Sequence, residues 1–329
     1  MHIPDGLMDP MVSLIGWIEF LVVFGAVMLL AGKRVKEKSL PRIAVLSAGI
    51  FVAQMLNFPI GGGTTGHLIG GALFAIVAGP LVAVIGMTIV LLIQGLLFGD
   101  GGLTAFGLNA VNMAIIAPLT GYGVFTLLGA QTRDQAKSSI AVSSLVVAAA
   151  AWASVFVAAA ACAAELSVSY AVSGGAYGIA ATVSVPAMLG LHALIGVGEG
   201  IITAGVFAYL LTASPGSITF ASTARKPLAG VMGILSSSTA KAVVAILIVF
   251  ALALPLYFLY SSEGKDGLEK TMEDADAPEG EPLLASPFSY GENYFAALFA
   301  GILGFLAVAL VSLGVLKLVG SGATRDTTT

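Results

Sequence analysis

Nine stretches of this chain run for a helix length, or nearly so, with almost no charge, and they constrain the fold more than any other feature. They lie near residues 12–32, 40–56, 68–79, 81–98, 105–129, 139–163, 178–211, 240–260 and 293–318. A helix that crosses a bilayer needs about 20 apolar residues, and in hydrocarbon its backbone groups must be satisfied within the segment. At 58% hydrophobic and 10% charged residues, with a mean hydropathy of +1.00, the chain is no soluble core. The expected fold is an all-α polytopic membrane protein with about nine transmembrane helices. Two segments are irregular. Segment 68–79 is short and ends at Gly79-Pro80, so it is expected to tilt or to form a hairpin with 81–98. Segment 178–211 is too long for one straight span, and Pro186 with Gly190, Gly196, Gly198 and Gly200 invites a kink or break.

The basic residues choose between the two orientations. With the N-terminus extracytoplasmic and nine crossings, Lys33, Arg34, Lys36, Lys38, Arg42, Arg133, Lys137, Arg225, Lys226, Lys241, Lys317 and Arg325 all fall inside, and only Lys265 and Lys270 fall outside. The positive-inside rule therefore predicts an outside N-terminus and a cytoplasmic C-terminus. The opening IPDGLMDP is no cationic leader, so no cleavage is expected. Histidine at position 2 is too bulky for ordinary removal of the initiator, so Met1 is expected to stay.

That start has chemistry of its own. The Met1 amine, the His2 backbone nitrogen and the His2 Nδ1 can close two fused chelate rings on one ion. Three coplanar nitrogens, one a deprotonated amide, suit Ni²⁺ or Cu²⁺, with Co²⁺ a credible variant. The plain alternative is an exposed terminal histidine. A fourth donor must come from elsewhere, and the other histidines are His67 and His192. With the N-terminus outside, the loop from Asn57 to His67 shares its face, and Pro59 with four glycines lets that loop turn sharply. His67 is thus the candidate fourth nitrogen; otherwise it is a helix-start histidine bonded to a carbonyl. His192 and Glu199 lie seven residues apart on one helical face inside a span, where they could relay the ion or equally hold helices together. Asp5 and Asn57, beside the proposed ligands, are candidates to support them or guide the ion. Cys162, the single cysteine, excludes an internal disulfide or a thiolate cage and reads as a small packing residue.

Four motifs carry a family resemblance: MHIPDG at the start, NFPIGGGTTGHLIGG at 57–71, QGLLFGDGGLTAFGLNAVNMA at 94–114 and LHALIGVGEG at 191–200. They closely resemble the CbiM/NikM family, the substrate-capture components of energy-coupling factor transporters for cobalt and nickel. The resemblance implies a site in which Met1 gives its amine, His2 its amide nitrogen and imidazole, and His67 its imidazole. It implies as partners a transmembrane coupling (T) component and a pair of cytoplasmic ATPases. The alanine-rich stretch Ala148–Ala164 is a candidate docking surface for the former, or else internal packing. Residues 263–281, with eight acids against two lysines, include Lys265-Asp266-Gly267-Leu268-Glu269. This resembles the PDGLE-type motif of the two-helix N component, often fused behind the capture component in nickel systems, with Lys265 in place of proline. The expected organisation is a metal-capture domain over 1–220, a cytoplasmic linker over 221–239, and an N-component-like part over 240–329 with an acidic extracytoplasmic loop at 261–290.

No GxxxxGK[ST] occurs, so the chain is expected to bind no ATP, and it offers no nucleophile–base pair or HExxH. It is expected to be a non-enzymatic transport subunit in a prokaryotic plasma membrane, with Ni²⁺ or Co²⁺ as transported substrate and no nucleic-acid partner. The fused part tilts the expectation to nickel. The alternative is a self-sufficient metal channel or ion-coupled carrier, which would need more ionisable groups at mid-membrane than Glu19, Glu199 and His192.

Overall fold

In a computed structural model of the chain, residues 1–31, 39–61, 63–132, 140–213, 237–261, 264–278 and 280–325 are described. Lys33, Arg34, Lys36, Lys38, Arg133, Lys137, Arg225, Lys226, Glu263, Glu279 and most of the 221–239 linker lie outside these residues, as does the side chain of Arg325.

Helices α1 (Pro10–Ala31) and α2 (Leu40–Gln54) lead into a two-stranded antiparallel ribbon, β1 (Phe58–Gly61) and β2 (Thr64–Gly66). Then come α3 (Gly71–Ala78), α4 (Pro80–Ile93, continued as a π-helical turn to Phe98), α5 (Phe106–Asn109, continued through a π-helical stretch) and α6 (Ala117–Thr132). Helices α7 (Ile140–Val172), α8 (Ala181–Ala213), α9 (Ser237–Tyr260), α10 (Gly267–Asp274) and α11 (Tyr294–Arg325) complete the chain. Among the described residues seven helices are long and apolar enough to cross a membrane. The two expected spans that fall short are α2, at 15 residues, and α3, at 8. As the sequence suggested, α3 stops at Gly79, and Pro80 starts α4 in its place as first helical residue, where its missing N–H has no intrahelical partner to lose.

Three further expectations change. The glycine-rich loop before His67 is a short β ribbon rather than irregular chain, so the fold is not purely helical. Helix α8 runs unbroken through Pro186, which sits in its second turn, where one carbonyl loses its partner and the ladder resumes behind it. Helix α7 continues to Val172, which brings Glu165 into a span, hydrogen-bonded to Asn112 at 2.6 Å.

Helix α4 is the hub of the bundle: 72% of its most apolar window is buried, against 11% for α9. Helix α1 turns Leu14, Ile15, Ile18, Leu21, Val22, Leu29 and Leu30 outward, an apolar belt that suits lipid. Five alanines of α7 face the interior of the protein, while Ala149 and Ala164 remain exposed. Ala150, Ala151, Ala158, Ala159 and Ala163 are buried, and Gly200 of α8 comes so close that a Cβ there would sit 3.0 Å from the Ala148 carbonyl. This is close helix–helix packing through small residues. The same alanines are therefore not a free docking face.

At one end of the bundle, residues 1–9 receive a contact from every neighbouring loop. Gly102 N–H donates to the Ile3 carbonyl at 2.8 Å, Gly178 N–H to the Leu7 carbonyl at 2.7 Å and Leu283 N–H to Asp5 at 2.8 Å. The loops after α4, α7 and α10 therefore share a face with the N-terminus.

Candidate metal centre

Met1 and Ile3 are buried rather than free, at 2% and 0% exposed, and His2 between them is partly buried. Asn109 holds Ile3 by both its backbone groups, accepting from the N–H at 2.8 Å and donating to the carbonyl at 3.0 Å. Gly102 allows the fit, because a Cβ at that position would collide with the backbone nitrogen of Asp5. Asp5 accepts from the Thr104 N–H at 2.7 Å, the Thr104 hydroxyl at 2.6 Å and the Leu283 N–H. Burial works against its charge, but these bonds hold its carboxyl below the usual range. Asp5 anchors the strand of chain behind the donors.

His67 follows β2 and is held just as firmly. Its Nδ1–H donates to the Leu68 carbonyl at 3.0 Å, which leaves Nε2 as the acceptor that faces the Met1 amine. Both oxygens of Glu199 accept backbone N–H groups, Ile69 at 2.6 Å and Gly70 at 2.9 Å, at the start of α3. The Ile69 carbonyl in turn accepts from Gln54 at 2.6 Å. Glu199 thus fixes the segment that carries His67, which is a holding role rather than a donor position. Asn57 approaches Thr65 at 3.4 Å on the neighbouring ribbon.

These two supports bring the Met1 amine to 3.5 Å from His67 Nε2. His192, whose Nδ1–H donates to its own helix at Met188, lines a cavity of about 10 Å³ with Met1, His67, Ile69, Ile195 and Asp266. His2 places its ring centroid 5.2 Å from that of His67 but keeps its Nδ1 on Asp100 Oδ1 at 3.3 Å. Burial, offset in part by Asp100, pushes the His2 imidazole down to about 4, so the ring is neutral at physiological pH.

The residue that sequence reasoning passed over is Asp266. Its Oδ2 accepts the Met1 amine at 3.0 Å and lies 3.6 Å from His67 Nε2. Burial disfavours the charged amine, but Asp266's charge and hydrogen bond outweigh it and hold the amine above its ordinary 8.0; the same partnership holds the Asp266 carboxyl well below 3.8. Asp266 is aimed by a capping box at the start of α10, where its Oδ1 accepts from the Leu268 and Glu269 N–H groups and Glu269 accepts from its own N–H. Helix α10 approaches closely because Gly267 lies against His192; a Cβ there would be 2.6 Å from His192 Cε1. Lys265 adds a parallel bridge to Thr64. The D-x-x-E spacing after Lys265 marks a capped helix start in the sequence, but nothing local in it points 265 residues back to the amine. Asp100 and Asn109 sat inside a quoted motif without a distinct role.

Among the described residues no three His, Cys, Asp or Glu side chains form a metal-holding group.

The family profile "CbiM: Cobalt uptake substrate-specific transmembrane region" matches residues 2–217. The chain belongs to the CbiM family. A provisionally named metal transport protein of Haloquadratum walsbyi is 41% identical over 215 residues, covering 65% of this chain and 92% of that one. A provisionally named fused nickel transport protein NikMN of Archaeoglobus fulgidus is 34% identical over 317 residues, 94% of this chain and 95% of its own. A crystal structure of a truncated transition metal transporter superposes with a TM-score of 0.57 at 36% identity, over 64% of this chain and 98% of that one. The likeness to the fused protein thus runs on past residue 217, through the part that carries Asp266. As a CbiM-family transport protein with several spanning helices, the chain is a multi-pass protein of the plasma membrane.

Proposed function

We propose that this CbiM-family protein is the ion-capturing subunit of an ATP-driven importer of the energy-coupling factor type, with Ni²⁺ as cargo and Co²⁺ as the alternative. The observation that carries the reading is the buried Met1 amine 3.5 Å from the Nε2 lone pair of His67. The ligand set is the Met1 amine, the His2 amide nitrogen and Nδ1, and His67 Nε2. Asp5, Glu199 and Asn109 support the backbone behind the ligands, and His192 forms the cavity wall.

On binding, the Met1 amine leaves Asp266 and loses a proton, the His2 amide loses another, and the His2 ring proton shifts from Nδ1 to Nε2 as Nδ1 turns from Asp100 to the ion. An ion of charge +2 bound to one anionic amide leaves a net +1 in a buried place, and the Asp266 carboxylate neutralises it. Nitrogen donors favour ions late in the Irving–Williams series and leave Mg²⁺ and Ca²⁺, which want oxygen, outside. The similarity along its whole length to a protein named for nickel transport supports Ni²⁺ over Co²⁺.

The distribution of charge supports an extracytoplasmic N-terminus, with α2 and α3 as short crossing segments that restore a count of nine and put the C-terminus inside. We divide the chain into a capture domain over 1–220, a linker and an N-component-like part over 240–329; the end of the family match at residue 217 supports the first boundary. The cytoplasmic ATPases and coupling component supply the energy, since the chain has no phosphate-binding loop. A self-sufficient carrier is disfavoured because the embedded Glu199 and Glu165 are both engaged in holding the fold.

Placing one glycine before Met1 moves the amine by a residue and changes no side-chain donor. Isothermal titration calorimetry of the purified chain should then show high-affinity Ni²⁺ binding abolished while thermal unfolding remains cooperative. Unaltered binding by an intact, extended N-terminus would defeat the proposal.

A further inference from the structure

Beside the small cavity at the amine lies a larger one of about 280 Å³, and Asp266 and His67 line both. Its wall is drawn from both parts of the chain: Asp100 and His2 from the first, Asp266, Glu269 and Tyr290 from the last. The Tyr290 hydroxyl donates to Asp100 Oδ2 at 2.8 Å, while Oδ1 faces His2 Nδ1. With its Nδ1 toward Asp100, the His2 ring turns Nε2 away from that carboxylate, and that buried atom has no hydrogen-bond partner although the side chain is only 9% exposed. The three carboxylates and this imidazole nitrogen all accept hydrogen bonds. Their complement is a cation that presents O–H groups outward.

Size separates the two cavities. Counted as space open to a water's centre, one water needs about 10–15 Å³, so six waters round a divalent ion need on the order of 60–90 Å³. The outer cavity, at about 280 Å³, accommodates the hydrated ion; the inner one, at about 10 Å³, does not.

We propose that the outer cavity is a second cation site, built jointly by Asp100, Glu269, Asp266 and His2, which holds a hydrated divalent ion through its waters before it is stripped at Asp266 and His67. The inference rests on the chelate proposed above as the ion's destination. Two roles follow for the last part of the chain. It closes the outer site with Glu269 and Tyr290, and it places Asp266 at the boundary where water is exchanged for nitrogen. The field of the carboxylates concentrates cations and raises the rate of capture.

Mn²⁺ is the probe for the outer site, because it prefers oxygen and stands lowest in the Irving–Williams series for nitrogen. Electron paramagnetic resonance of the full chain in detergent should show Mn²⁺ withdrawn from its hexaaqua signal. An Asp100→Asn, Glu269→Gln double variant should return it. Glu269 is exposed and glutamine can still accept the Asp266 N–H, so Glu269→Gln alone preserves the cap. In stopped-flow measurements it should slow Ni²⁺ association by several-fold, and the double variant by about tenfold or more, with dissociation moving less in each. Mn²⁺ that never binds, that stays bound in the double variant, or Ni²⁺ association that does not slow, overturns the outer site. The chain with a glycine before Met1 keeps Mn²⁺ and loses Ni²⁺; if it keeps Ni²⁺, the chelate itself is wrong whatever Mn²⁺ does.

Discussion

Substituting Glu199→Gln separates a residue that holds His67 from one that passes the ion onward. Glu199 is fully buried and its two oxygens accept the Ile69 and Gly70 N–H groups at 2.6 and 2.9 Å. Glutamine has the same shape but one acceptor, so its amide group must face one of those N–H donors. A hydrogen bond to a charged group contributes about 1.5–3 kcal/mol and a neutral one about 1 kcal/mol. One bond is lost and the other becomes neutral, while relief of the buried charge offsets part of the cost. The expected net loss is about 1–3 kcal/mol of stability, concentrated two residues from His67. Displacement of a group that orients a metal ligand typically lowers affinity by about 10- to 100-fold. Calorimetry with Ni²⁺ and thermal unfolding of the same detergent-purified protein should show both falls together. If Glu199→Gln kept its Tm and its Ni²⁺ affinity but lost uptake in cells, Glu199 would be a relay and the holding role would be refuted.

The pH dependence of capture follows from the amine. Its pKa lies above 8.0, and His2, at about 4, is already neutral. Binding therefore releases one amine and one amide proton, so affinity should rise by about 100-fold per pH unit between pH 6 and 8. A tenfold slope or less in titrations at fixed ionic strength would contradict it. Asp266→Asn removes the group that holds the amine charged and leaves burial to act, so the amine's ionisation should move to lower pH and the slope should flatten within that window. His67→Ala removes one of four nitrogens and should weaken Ni²⁺ binding by more than 100-fold, above the range for supporting residues, with membrane insertion unchanged by fractionation. Asn109→Leu leaves both backbone groups of buried Ile3 without their side-chain partner; it should cost about 2–4 kcal/mol of stability and loosen Ni²⁺ binding as well, and normal Ni²⁺ affinity in a destabilised protein would show that the seat of residue 3 does not govern the site.

The apolar runs and the scarcity of charge were enough to establish a multi-pass membrane chain, because a bilayer imposes one requirement on every segment that crosses it. The pair Met1-His2 was enough to propose a chelate, because its donors are covalent neighbours and the ring size follows from bond geometry. His67 could be argued only as far as a shared face. What brought it to 3.5 Å from the amine was the carboxylate of Glu199 fixing the start of α3. The alanines of α7 look alike in sequence whether they face a partner or the interior, and packing placed Ala150, Ala151, Ala158, Ala159 and Ala163 inside while leaving Ala149 and Ala164 exposed. Pro186 and the glycines of α8 signalled a kink or break; the helix is continuous, since a proline in the second turn frees one carbonyl and leaves the rest of the ladder intact. Asp266 was the least accessible of all to sequence reasoning. It read as one acid among eight in a polar loop. Only the approach of α10, permitted where Gly267 meets His192, turned it from a solvated charge into the buried partner of the first residue in the chain.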